Sequence, residues 1–283
     1  MSKKGEEKQK EIISKVEEPK LPKVLVCRLV TNRKNYCVKE LIDSSLSLTY
    51  PNHKVVHFDN SSDDFLKETL EAAGLTVVKT EHYEKDRNGS YIYNEKAETE
   101  KEKKKRKVLP IREMMVRDMN MARDLVLGQG YDYMLILEMD IVPHPDIIEK
   151  LLAEKEDSVA AFYWLDMIEM EYEGRAGWWT PVPYYMFKRT EKTGEPIQNI
   201  IFQPEPKMWF YPSGKISYAH GGFGCTLVSR RLLEKVKFRY NTENVAQLDA
   251  YFHSDSIKNG FIPKLLTGTI CKHLHTDWGN VRV

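Results

Sequence analysis

YMLILEMDIVPHP, residues 133–145, opens with five apolar or aromatic side chains and then places two carboxylates, Glu138 and Asp140, one residue apart. A run this short, apolar and closed by proline-containing residues reads as a strand inside an α/β sheet. On a strand, residues i and i+2 project to the same face, so an E-x-D at its end aims both carboxylates into one small volume. Like charges held that close repel unless a cation sits between them. Hard divalent ions take oxygen ligands, and one or two carboxylates plus substrate phosphates is the usual way to hold Mg2+ or Mn2+. The competing reading is an ordinary pair of solvated charges at a turn.

Working outward, the chain before this run alternates strand and helix. KVLVCRLV (23–30) is a continuous apolar run of the kind buried on both faces of a parallel sheet, and apolar residues at helical spacing follow at Val38, Leu41, Ile42 and Leu46. HKVVHFD (53–59) gives a second strand ending in a polar turn, DDFLKETLEAAG (63–74) a helix with Asp63 or Ser62 as N-cap and Gly74 as its stop, and LTVVKTE (75–81) a third strand. Such alternation predicts a doubly wound sheet with right-handed crossovers. Residues 83–107 carry a mixed-sign charge run and read as a solvated loop, with order resuming at the Met- and Arg-rich helix 111–128. Beyond Pro145, Asp146 caps a further helix, and SVAAFYWL (158–165) is another buried strand. Two aromatic and proline-rich stretches, 177–190 and 202–215, read as long loops, after which a glycine turn, strand and helix (219–236), a helix ending at Gly260 and a closing strand complete the chain.

Composition narrows the function classes. The 283 residues carry 43 Lys+Arg against 42 Asp+Glu, so no overall field attracts nucleic acid or an anionic membrane. No stretch approaches the roughly 18–20 apolar residues of a membrane span, and the N-terminus lacks the apolar core of a signal peptide. The expectation is an intracellular, cytoplasmic protein with no transmembrane segment and no nucleic-acid partner. Cys27, Cys37, Cys225 and Cys271 contain no C-x-x-C and read as reduced core thiols. Residues 1–20 read as a frayed or disordered tail and 21–283 as one domain, with a nucleotide-binding half (21–145) and an acceptor half (146–283).

YDYMLILEMDIVPHPDIIEKLL (131–152) resembles the acidic-motif region of nucleotide-sugar glycosyltransferases of the GT-A fold, family 2-like, where a DxD follows an apolar strand. The resemblance extends in order through VTNRKNY (30–36), HFDNSSDD (57–64), VRDMNMARD (116–124), GGFGCTLVSRRLLEKVKF (221–238), LDAYFHSDSIKNGF (248–261) and CKHLH (271–275). It implies a GT-A-like, Rossmann-like α/β fold with a mostly parallel central sheet flanked by helices, and an irregular aromatic-rich acceptor region. It also implies transfer of a sugar from a UDP- or GDP-linked donor with Mn2+ or Mg2+.

Site roles follow from the resemblance and from chemistry together. Asp140 is the direct metal ligand, with Glu138 bonding ribose or a metal-bound water; His275 or His273 completes the metal's protein shell, unless the H-x-H is a plain surface pair. Thr31, Asn32 and Arg33 line the nucleotide. Asp59 meets the base or simply closes its turn. Arg117, and after it Arg123, faces the diphosphate or makes helix-surface ion pairs, and Gly222 in the Gly221/Gly222/Gly224 turn allows close approach of backbone to the sugar. Asp249 is the candidate base that takes the acceptor hydroxyl's proton in an inverting transfer, with Asp255 as the fallback. If Asp249 merely caps its helix, the enzyme would instead retain configuration; Leu248 where the resembling enzymes have Glu, with the ExD spelling, favours a non-catalytic carbohydrate-binding protein with a degenerate transferase fold, against which Asp140, Asp249 and a terminal His together argue. A nucleotidylyltransferase would need a glycine-rich loop after the first strand, and CRLVTNRKNY (27–36) has no glycine. Trp178, Trp179, Tyr184, Tyr185, Trp209 and Tyr211 offer faces for a sugar acceptor, in a glycan, lipid-linked or protein partner, or else the seam of a homodimer.

Overall fold

Residues 20–80, 100–163, 215–217, 222–240 and 248–274 are described by the computed structural model, and every structural statement below concerns these residues. Nine strands form the sheet: β1 (Val24–Val30), β2 (His53–Asp59), β3 (Thr76–Lys79), β4 (Tyr133–Leu137), β5 (Ile141–Val142), β6 (Ser158–Tyr163), β7 (Lys215–Ser217), β8 (Cys225–Ser229) and β9 (Lys264–His273). They lie in the order β3-β2-β1-β4-β8-β6-β9-β5, with β7 also on β9. Following the pairings, β1, β2, β3, β4, β6 and β9 all run one way, and only β5, β7 and β8 run against them. The fold is α/β with a mostly parallel central sheet flanked by helices.

Burial on both faces explains the apolar strands. In β1, Val24 and Val26 enter one core with Leu135 and Leu137 of β4, while Leu25 and Cys27 enter the opposite core with Met134 and Ile136. Helices cover each side. The first core takes Ile147, Ile148 and Leu151 from α4 (Ile147–Ala153). The second takes Met119, Ala122 and Val126 from α3 (Glu100–Gly128), Leu232 and Leu233 from α5 (Arg230–Lys235), and Phe252 from α6 (Leu248–Lys258). A third cluster joins Val30, Cys37 and Met139 to Leu41 of α1 (Val38–Leu46) and to Leu66 and Leu70 of α2 (Phe65–Ala72). All four cysteines are buried and free. Among the described residues no helix is long and apolar enough to cross a membrane.

Several boundaries differ from the sequence reading. The charge run does not stay outside regular structure, because α3 begins at Glu100 and continues through Pro110. Mixed charge suits a solvated helix as well as a loop, and composition alone does not separate them. The N-cap position of α2 is Asp64, neither Ser62 nor Asp63, although the Asp63 carboxylate accepts the Phe65 N–H at 3.2 Å. Gly74 does end α2, at φ +79°, a conformation open to glycine. Asp146 holds the N-cap position of α4, but its carboxylate takes His144 and Lys150 rather than the helix N–H groups.

Beneath the sheet's polar end, β1 and β2 place Arg28 beside His57 in register, and both side chains are fully buried. Burial first, and the Arg28 charge second, push the His57 imidazole down to about 4, against an opposing bond to the Thr76 carbonyl. A histidine whose native pKa lies below its unfolded one binds fewer protons when folded, so the stability it contributes is present above about pH 6.5 and is lost as pH falls toward 4. Between pH 7 and 4 the wild-type protein is expected to lose about 3 kcal/mol more stability than a His57→Gln variant in urea titrations. Equal losses in the two proteins would refute it.

Candidate functional site at the strand switch

From β1 the chain winds outward to β2 and β3, while β4 lies on the other flank of β1. The strand order therefore reverses between β1 and β4, and in open α/β sheets ligands bind at such a switch point, outside the carboxyl ends of the strands. Two segments meet there. One is a 3₁₀ turn, Asn32–Cys37, with non-helical backbone at Lys34. The other is the turn Glu138–Ile141, closed by the Ile141 N–H on the Glu138 carbonyl at 3.2 Å. The strand itself stops at Leu137. The two carboxylates thus converge through a turn rather than through strand alternation.

They converge on Lys34. Its ammonium lies 2.8 Å from Asp140 Oδ1 and 3.8 Å from Glu138 Oε2. Asp140 is fully buried, and its Oδ2 accepts from the Tyr36 hydroxyl at 2.9 Å and lies 3.3 Å from His273 Nε2, a bond that puts the ring hydrogen on Nε2. Burial alone would raise the Asp140 pKa; the bond to His273 and the Lys34 charge overcome it and hold the carboxyl well below the usual range. Burial likewise works to lower Lys34, and the charges of Glu138 and Asp140 overcome that and raise it. His273 reaches the site because β9 pairs with β5, Ile141 opposite His273, and the Leu274 N–H donates to the Asp140 carbonyl at 2.9 Å.

Arg28 forms the floor. Its fully buried guanidinium donates to the carbonyls of Glu138 (3.2 Å), Met139 (3.5 Å) and Ile141 (2.9 Å), and to the hydroxyls of Ser44 (2.8 Å) and Ser45 (3.1 Å) on α1. Burial lowers this arginine to about 10, so it stays a cation at neutral pH. The single charged residue within the strand VLVCRLV (24–30) is the sequence signal for it, since a buried cation must find partners.

Asp249 belongs to a different element, the helix α6. It is buried at the first turn of α6, and its Oδ1 accepts the Ala250 N–H at 2.7 Å. Burial raises its carboxyl to about 7; Glu138 adds to the rise, and the Ala250 N–H and Arg112 oppose it. The charges of Glu138, in the acidic turn, and of Arg112, on α3, are both felt at Asp249. Arg112 was not singled out by the sequence pattern. Leu248 packs into the core shared with α3. Gly224, just before β8, accepts the Glu138 N–H at 3.0 Å and donates its own N–H to the Tyr163 hydroxyl at 3.2 Å. Tyr163 in turn meets His273 edge to face, ring centroids 5.4 Å apart.

The remaining sequence candidates lie along the β1–β2 edge or away from the opening. Thr31 donates its N–H to Met139 Sδ at 3.5 Å, Asn32 bonds Ser61, Ser62 and Asp63, and Arg33 is exposed. Asp59 is buried, accepts the Ser61 N–H at 2.9 Å and pairs with Lys79 at 3.0 Å, so its turn chemistry is satisfied within the chain. Arg117 holds Asp118, which also accepts from Asn60 at 3.2 Å. Arg123 is nearly buried and donates to the Leu233 and Val236 carbonyls, fastening α3 to the end of α5. Asp255 is engaged by Arg239. Gly222 is half-buried beside the glycine turn. His275, Gly221 and the six loop aromatics lie outside the described residues.

The donor chemistry, two carboxylates with a neighbouring imidazole, suits a hard divalent ion. Among the described residues, however, no three His, Cys, Asp or Glu side chains gather into a ready metal cluster. No family model matches the chain, and no curated protein matches it in sequence. Solved structures with a similar path include A197 from STIV, with 16% identity and a TM-score of 0.45 over 89% of this chain and 86% of that one. They also include S. aureus TarS, at 17% identity and a TM-score of 0.45 over 90% of this chain and 37% of that one, and TarS 1-349, at 15% and 0.47 over 89% and 60%.

Proposed function

We propose that this protein is a metal-dependent glycosyltransferase that moves a sugar from a nucleoside-diphosphate sugar to an acceptor hydroxyl with inversion. The observation that carries the reading is the convergence of Glu138 and Asp140 on Lys34 at the strand switch, with the buried Asp249 raised to about 7 where Asp140 is held ionised. Environments that drive neighbouring carboxyls apart are how acid and base roles are divided at neutral pH. Glu138 and Asp140, with the donor's phosphates, would hold a Mn2+ or Mg2+ ion, which when bound stabilises charge on the leaving diphosphate. The chain's own residues do the rest. Asp249, ionised, accepts the proton of the attacking hydroxyl. Arg28 fixes the backbone of the acidic turn so that the carboxylates do not have to be organised anew at each turnover. The donor lies across the β1–β4 switch point, with Thr31 and Asn32 toward its nucleotide. The acceptor is a glycan, lipid-linked sugar or protein hydroxyl entering from the α6 side.

A base works only when deprotonated, so the transfer rate is expected to rise with pH through about 7 and to level off above it. An Asp249→Asn variant should bind UDP or GDP with Mn2+ as the wild type does, in calorimetry, while its transfer rate falls by about a thousandfold and loses that pH step. Normal transfer by the variant would remove Asp249 as the base. The raised native pKa has a stability consequence of the same origin: the folded protein holds this proton more tightly, so the contribution is present at low pH and is lost as pH rises through 7.

A further inference from the structure

The charges of the acidic turn are already balanced by the protein. Asp140 is fully buried with both oxygens engaged, Oδ1 by Lys34 and Oδ2 by Tyr36 and His273. Lys34 Nζ also stands 3.8 Å from Glu138. An ammonium is a compact point charge on a flexible four-carbon stem, and here it occupies the position between two carboxylates where a divalent ion would have to sit. The two cations cannot share that position, because like charges at such separations repel strongly in a partly desolvated site. Lys34 has a way out: its side chain is 25% exposed, whereas Asp140 is 0% exposed.

We infer that Lys34 is a tethered competitor of the metal, occupying the Glu138–Asp140 pair in the resting protein and leaving it when a divalent ion binds. The inference rests on the metal-binding reading of the acidic pair given above. The displaced ammonium also needs a new anion, and a diphosphate bound beside the metal supplies one. Metal and diphosphate should therefore each strengthen the other's binding, and the coupling is reciprocal.

The test is calorimetric titration of Mn2+ into the full chain as wild type, Lys34→Met and Asp140→Asn. Lys34→Met is expected to bind Mn2+ at least tenfold tighter than wild type, and Asp140→Asn to bind none. In wild type, inorganic pyrophosphate should strengthen Mn2+ binding, and in Lys34→Met this gain should shrink. A second measurement needs no variant: saturating Mn2+ should raise the rate of reductive methylation at Lys34, read by mass spectrometry. Equal Mn2+ affinity in wild type and Lys34→Met, abolished by Asp140→Asn, would overturn the competition and leave the metal site standing. Unchanged Lys34 labelling at saturating Mn2+ would overturn it as well. Absence of Mn2+ binding in both folded proteins would overturn the metal reading and the competition with it.

Discussion

Asp140→Asn is expected to lower sugar transfer by at least about a thousandfold and to destabilise the fold at the same time. The substitution keeps the side chain's shape and an oxygen for the Tyr36 hydroxyl, but removes the charge that Lys34 and His273 face at 2.8 and 3.3 Å. Breaking a buried ion pair from one side leaves the partner uncompensated, at a cost of about 3–5 kcal/mol where both groups are deeply buried. Lys34 can turn to water, so about 2 kcal/mol is the expected loss in urea unfolding. The two readouts separate the roles. A variant that loses stability yet keeps near-normal transfer would make Asp140 an architectural carboxylate and end the metal assignment. A rate loss that persists at temperatures where the variant is fully folded would place it in the chemistry.

Gly224→Ala is expected to be the most damaging small substitution near the site. A Cβ at this position would lie 2.1 Å from Tyr163 Cε1, 2.3 Å from Cζ and 2.7 Å from its hydroxyl oxygen. No rotamer of alanine relieves that overlap, so either the ring or the backbone must move. Ring movement disturbs the edge contact with His273, and backbone movement weakens the Glu138 N–H bond to the Gly224 carbonyl. Overpacking of this kind costs about 1–3 kcal/mol, and the upper end is expected because both escapes touch the acidic turn. A Tyr163→Ala change made together with Gly224→Ala should restore part of the loss, giving a double-mutant coupling of at least about 1 kcal/mol. Additive effects would show that the ring is not what excludes the methyl group.

What the sequence discloses is set by how local the cause is. β1 and β4 can be read because a strand covered on both faces must be apolar at every position, and Arg28 is the one residue that breaks the rule. Asp140 stands out because a second carboxylate just beyond an apolar strand is conspicuous in its own neighbourhood, whereas Asp249 is picked out only by the resemblance of its segment to a family motif. Lys34 does not stand out. In TNRKNY it looks like a solvated turn residue, and its partner lies 106 positions further along the chain. The same holds for β5, two residues long and defined only by its pairing with β9. The acid pair's geometry is a mixed case: one shared volume follows from the spacing, but the volume is made by a turn and by Arg28 below it. Arg123 shows the reverse: an arginine on a helix before the acidic motif invites a phosphate, but in the fold it takes the other course, pairing with Asp124 and donating to two carbonyls of a neighbouring helix end.

The long separation between Lys34 and Asp140 also bears on how the protein comes to be active. Lys34 leaves β1, Asp140 follows β4, and the two strands are direct neighbours in the sheet although β2, β3 and three helices intervene in the chain. Closing so large a loop is slow and gains nothing until the strands pair. The early units β1, β2 and β3 can zip locally, yet they hold half a site: a lysine with no carboxylates. A nascent or partly folded chain therefore lacks the Lys34–Asp140 pair, which forms only when β4 docks on β1.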